Sequence, residues 1–114
     1  MRPFLGAKDF DLSRQFYRDI GFSEFEIDPS MSVFRMERFS FYLQRAYVKD
    51  WVDNTMVFLE VEHPEVYLEH LKSLELPDTY GRVKITGMHY NDWGCEFFMH
   101  DPSGILWHVG KFNE

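Results

Sequence analysis

Apolar positions change period several times along the chain. Residues 4–7 form a short apolar run that predicts a strand. Leu12, Phe16 and Ile20 then recur at four-residue spacing, widened by Tyr17, which predicts an amphipathic helix. Asp9 or Asp11 starts it, because an Asp carboxylate accepts from the exposed N–H groups of a first turn. Gly21 ends it. Residues 22–27 alternate in part and predict a strand, and Asp28-Pro29-Ser30 turns the chain. Residues 31–37 and 39–45 predict two more strands. In the second, Phe39, Phe41 and Leu43 face one way and Ser40, Tyr42 and Gln44 the other.

Residues 47–54 read as a polar connection, and the order then repeats. Residues 56–61 predict a strand, and Pro64 opens a helix where a missing N–H is tolerated. Val66, Tyr67, His70, Leu71 and Leu74 are its expected buried stripe, and Pro77-Asp78 its expected stop. Residues 83–88 predict a strand. Two apolar runs, 96–100 and 105–109, flank Asp101-Pro102-Ser103-Gly104. Proline fixes φ early in a turn, aspartate bonds its own backbone and glycine supplies a positive φ, so this stretch predicts an antiparallel hairpin. The reading is two βαβββ units in tandem, about 1–46 and 55–114, in one α+β domain.

Three segments together resemble the glyoxalase/bleomycin resistance/dioxygenase superfamily, the vicinal oxygen chelate proteins. They are the passage 8–22 (KDFDLSRQFYRDIGF), the segment 55–71, and the Asp101–Gly104 turn with a polar residue four positions after the glycine. The resemblance implies two βαβββ modules building a curved mixed sheet around a groove, and a homodimer as the usual arrangement. It fixes activity far less, because such folds host many chemistries.

Composition narrows the partners. Aromatic content is 18%, with 12 Phe, enough to fill a core and still line a cavity. The single Cys95 excludes an internal disulfide and a multi-cysteine zinc site. A net charge of −7 argues against a nucleic-acid backbone and is compatible with a cationic ligand. The start Met1-Arg2-Pro3-Phe4 lacks a signal-type apolar run and no stretch is apolar enough to span a membrane, so a cytoplasmic location is expected. No phosphate loop, dinucleotide fingerprint or serine-nucleophile motif is present.

In metal-dependent relatives of this fold, four strand residues hold a divalent cation. Carried onto this sequence, those positions fall near Arg2, at Gln44 or a neighbour, on Met56 and on His108. Arginine cannot ligate a cation, and methionine is a soft ligand ill-suited to this chemistry. The expectation is no metal and no other cofactor, with Glu60, Glu96 and His100 as substitute ligands if the register differs. What remains is a groove lined by Tyr42, Gln44, Trp93, Glu96, Phe98, Leu106 and His108. Trp51 and Trp93 lie in connections from which they could close on a flat or cationic ligand.

Each candidate also has a plainer reading. His108, the best single catalytic candidate, could equally be a core histidine with a satisfied hydrogen bond. His63 and His70, the latter at the margin of its helix stripe, read as surface or helix-edge residues, His89 as a solvated residue near a loop, and Glu60, Glu62, Glu65 and Glu69 as a solvated face. Cys95 has no basic neighbour in sequence to activate it as a nucleophile. Two functions follow from the resemblance. One is a metal-free protein that binds a small molecule such as an antibiotic or other aromatic or cationic compound. The other is a metal-dependent lyase or dioxygenase.

Overall fold

The computed structural model describes residues 2–113. Strand β1 (Phe4–Gly6) leads into α1 (Phe10–Asp19), and β2 (Ser23–Asp28), β3 (Met31–Met36) and β4 (Phe39–Gln44) follow. These form a four-stranded sheet in the order β1-β4-β3-β2, with β1 parallel to β4 and the other pairs antiparallel. After the short helix α2 (Lys49–Asp53) come β5 (Met56–Glu60), α3 (Pro64–Ser73), α4 (Leu76–Tyr80), β6 (Lys84–Ile85), β7 (His89–Asn91), β8 (Gly94–His100) and β9 (Leu106–Phe112). The second sheet runs β5-β9-β8-β6, with β7 also on β8 and β5 parallel to β9. The fold is therefore α+β with two mixed sheets, as expected. Among the described residues, no helix is long and apolar enough to cross a membrane.

The sequence period explains α1. Asp9 is the N-cap: its side chain accepts from the Leu12 N–H at 3.1 Å, whereas Asp11 lies inside the first turn. Phe16, Tyr17 and Ile20 are fully buried, and Gly21 leaves the helix at φ +115°. One side of the first sheet packs onto this helix, and one side of the second packs onto α3, with Trp107 reaching Tyr17. Phe34, Phe41 and Leu43 come from the first sheet, and Phe97, Met99, Trp107 and Val109 from the second. Alternation therefore leaves the opposite side of both sheets open.

Tyr17 locks the two sheets together. Its ring lies 4.9 Å from Phe41 and 5.7 Å from Trp107 between centroids. Its hydroxyl donates to Asp101 Oδ2 at 2.5 Å and accepts from Trp107 Nε1 at 3.0 Å. Asp101 Oδ1 meanwhile takes the backbone N–H groups of Ser103, Gly104 and Ile105, and Gly104 adopts φ +103°. The Asp-Pro-Ser-Gly turn thus acts as an internal anchor as well as a loop.

Four local expectations are corrected. The connection 47–54 contains α2, because Val52 buries itself beside Gly6 of β1; Trp51 is thus on a helix. On α3 the buried residues are Pro64, Leu68 and Leu71, while Val66 is 69% exposed and His70 is exposed. Positions 66 and 70 lie on the far side of the stripe set by 64, 68 and 71. Pro77 does not stop α3. That helix ends at Ser73, and Pro77 sits in the first turn of α4, where no N–H is needed. Finally, the strand expected over 83–88 splits into β6 and β7. The Phe98 N–H bonds the Thr86 side chain and not a backbone carbonyl, and pairing resumes one residue out of register at His89.

Candidate ligand-binding site

The open side of the second sheet carries most of the candidate residues. Parallel pairing of β5 with β9 and antiparallel pairing of β9 with β8 set Phe58, His108 and Phe98 side by side in one cross-strand row. Met56, Leu106 and His100 form the row on one flank, and Glu60, Gly110 and Glu96 the row on the other. Rings continue in both directions. Phe98 is 4.9 Å from His108 and 5.3 Å from His89. Phe58 stacks on Phe112 at 5.1 Å, and Trp93, in the tight turn after β7, lies 5.0 Å from Phe112. The result is a continuous floor of six rings.

One polar pair is set into this floor. His108 Nδ1 and Glu96 Oε1 are 2.8 Å apart, with side chains 25% and 13% exposed. With Nδ1 committed to the carboxylate, the other ring nitrogen is the one presented away from it. His108 therefore lies on the open face with a satisfied hydrogen bond. Gly110 stands next to Glu96. A Cβ there would press on the Cys95 carbonyl oxygen and stand 2.9 Å from the Glu96 Cα, so close strand approach requires glycine here. A recess of about 550 Å³ adjoins the floor, lined by Met36, Glu37, Arg38, Phe39, Phe58 and Glu60. The tip of the β3–β4 hairpin supplies its other wall.

Tyr42 and Gln44 lie elsewhere, on the open side of the first sheet. Phe4, Tyr42, Val33 and Phe25 form a cross-strand row there, with Phe4 stacked on Tyr42 at 4.5 Å. Arg2 donates from Nε to Ser40 Oγ at 3.0 Å and from Nη1 to the Tyr42 hydroxyl at 3.4 Å. A single chain thus gathers Trp93, Glu96, Phe98, Leu106 and His108 on one surface and leaves Tyr42 and Gln44 on another. Sequence reading missed Phe58 and Phe112 in the floor and Phe4 beside Tyr42. Phe58 was available from its alternation with Met56 and Glu60, whereas Phe112 lies beyond the expected end of the last strand.

The donor chemistry does not suit a divalent metal. Arg2, which cannot ligate a cation, is bonded to Ser40 and Tyr42, and Met56, a soft ligand, flanks Leu106. Among the described residues, no three His, Cys, Asp or Glu side chains are arranged to share an ion. Cys95 is similarly placed against nucleophilic chemistry. Burial, together with Glu65 3.9 Å away, pushes its thiol above the ordinary value and disfavours the thiolate.

No protein-family model matches the chain, and no curated protein matches it. Solved structures do. The chain is similar to a bleomycin resistance determinant encoded on the transposon Tn5, at 18% identity and a TM-score of 0.84, covering 100% of this chain and 98% of that one. It is similar to a bleomycin-binding protein from Streptomyces verticillus complexed with copper(II)-bleomycin, at 24% identity and a TM-score of 0.82, covering 100% and 95%. It is also similar to a lactoylglutathione lyase from Agrobacterium tumefaciens, at 18% identity and a TM-score of 0.75, covering 97% and 92%. The chain therefore shares the fold of these bleomycin-binding and glyoxalase-family structures.

Proposed function

We propose that this chain is a metal-free small-molecule-binding protein that holds an aromatic, cationic compound on the open face of the β5-β9-β8 sheet. The observation that carries this reading is the six-ring floor with the Glu96–His108 pair set into it. Flat rings stack on such a floor, and a partly desolvated carboxylate attracts a cation without any metal. An antibiotic of the kind held by the bleomycin-binding structural neighbours has this combination of properties. Glu96 and His108 bind and orient the ligand, while Phe58, Phe98 and Trp93 contact its flat part.

The open side of the first sheet completes the groove from a second copy, so that Tyr42 and Gln44 face the His108 surface of a partner. Two features support this homodimer. Both open sides carry large exposed apolar residues, with Phe4 and Phe25 on one and Met56 and Phe112 on the other. Their charges are also complementary: Arg2 and Arg35 on the first sheet, Glu60 and Glu96 on the second. A lone unbridged Cys95 fits a reducing cytoplasmic setting.

Calorimetric titration with metal-free bleomycin and with simpler cationic aromatics tests the reading. Saturable binding that His108→Ala and Glu96→Gln each weaken about tenfold, with sedimentation at twice the chain mass, supports it. Turnover that depends on added nickel or zinc would instead assign the chain to the lyase or dioxygenase class.

A further inference from the structure

A second recess, of about 560 Å³, lies away from both open faces, where the two halves of the chain meet. Its wall includes Lys8, Asp9, Phe10, Arg45, Tyr80 and Arg82. Three cations from distant parts of the sequence converge on it against one carboxylate, in a chain whose net charge is −7. Arg45 is held in place: its guanidinium lies 4.7 Å from the Phe10 ring centroid, donates to the Pro29 carbonyl at 3.3 Å and lies 3.7 Å from the exposed Asp11 carboxylate. The Lys8 ammonium lies 5.7 Å from the Tyr47 ring centroid. Among the described residues, no ion pair engages Lys8 or Arg82. The carboxylate is already occupied, since Asp9 caps α1.

We propose that this recess binds a phosphate dianion. Lys8 and Arg82, which have no ion pair among the described residues, together with Arg45, whose contact with Asp11 is long, match a phosphate that needs more than one charged donor. The site is chemically opposite to the acidic aromatic floor around His108, so the two surfaces select different molecules.

The test is an NMR titration of the whole chain with inorganic phosphate at fixed ionic strength. The expected result is saturating shifts confined to Lys8, Phe10, Arg45 and Arg82. Affinity should fall about tenfold or more in the K8A/R82A double variant, as expected on losing two charged donors. Both residues are exposed, so this variant folds. Glu96→Gln should leave the titration unchanged, which separates this site from the proposed groove. Non-saturating shifts spread over all surface cations, or affinity unaltered in K8A/R82A, would overturn the proposal.

Discussion

Asp101 and Glu96 belong to the same hairpin region, and each bonds an aromatic or heteroaromatic side chain, yet they have opposite consequences. Asp101 is 0% exposed and satisfied on every side, by three backbone N–H groups and the Tyr17 hydroxyl. Glu96 keeps 13% of its side chain exposed and, among the described residues, has His108 as its one side-chain partner. A saturated, sealed carboxylate holds structure. A half-satisfied, accessible one retains capacity for a ligand. Accessibility and spare hydrogen-bonding capacity, and not residue type, separate the anchor from the candidate site.

Removing the sealed carboxylate should have the largest effect. Asp101→Ala strands the Tyr17 hydroxyl and three N–H groups, and should lower unfolding free energy in urea by about 3–5 kcal/mol. The pH dependence sharpens the contrast. Burial outweighs the four hydrogen bonds and pushes the Asp101 carboxyl up to about 6. In the unfolded chain it titrates near 3.9. The folded state therefore keeps this proton to higher pH. The group's contribution is complete below about pH 4 and is lost as pH rises through 6, a fall on the order of 3 kcal/mol. Stability of the wild type relative to Asp101→Asn, measured from pH 4 to 7, should show that decline.

Smaller effects follow. Tyr17→Phe removes one hydrogen bond on each side of the hydroxyl and should cost about 1–2 kcal/mol. Glu96→Gln should change stability by less than about 1 kcal/mol while weakening ligand binding about tenfold. A large stability loss there would make Glu96 another anchor, like Asp101. Val66→Ala, on the exposed side of α3, should stay within about 0.5 kcal/mol of wild type.

Local chemistry decided what could be read beforehand. The Asp-Pro-Ser-Gly turn was legible because proline, glycine and a short carboxylate dictate its backbone. Helix α1 was legible because cap, stripe and terminal glycine agree. On α3 a mixed stripe let Val66 and His70 pass for core residues, when Leu68 takes that place. Thr86, whose side chain replaces a carbonyl in the ladder, gave no periodic warning that β6 would stop. At the site, alternation correctly put Tyr42 with Gln44 and His108 with Leu106 on strand faces. It carries no information on which sheet faces which. Nor does it reveal that Phe58, fifty residues before His108, becomes its neighbour through parallel pairing.

The proposed ligand site is the Glu96–His108 surface. Its most direct test is calorimetry with metal-free bleomycin on wild type and Glu96→Gln in parallel. One saturable site per chain, about tenfold weaker in the variant and insensitive to chelators, is the predicted result. No saturable heat with bleomycin or any cationic aromatic tried, or equal affinity in the variant, would contradict it.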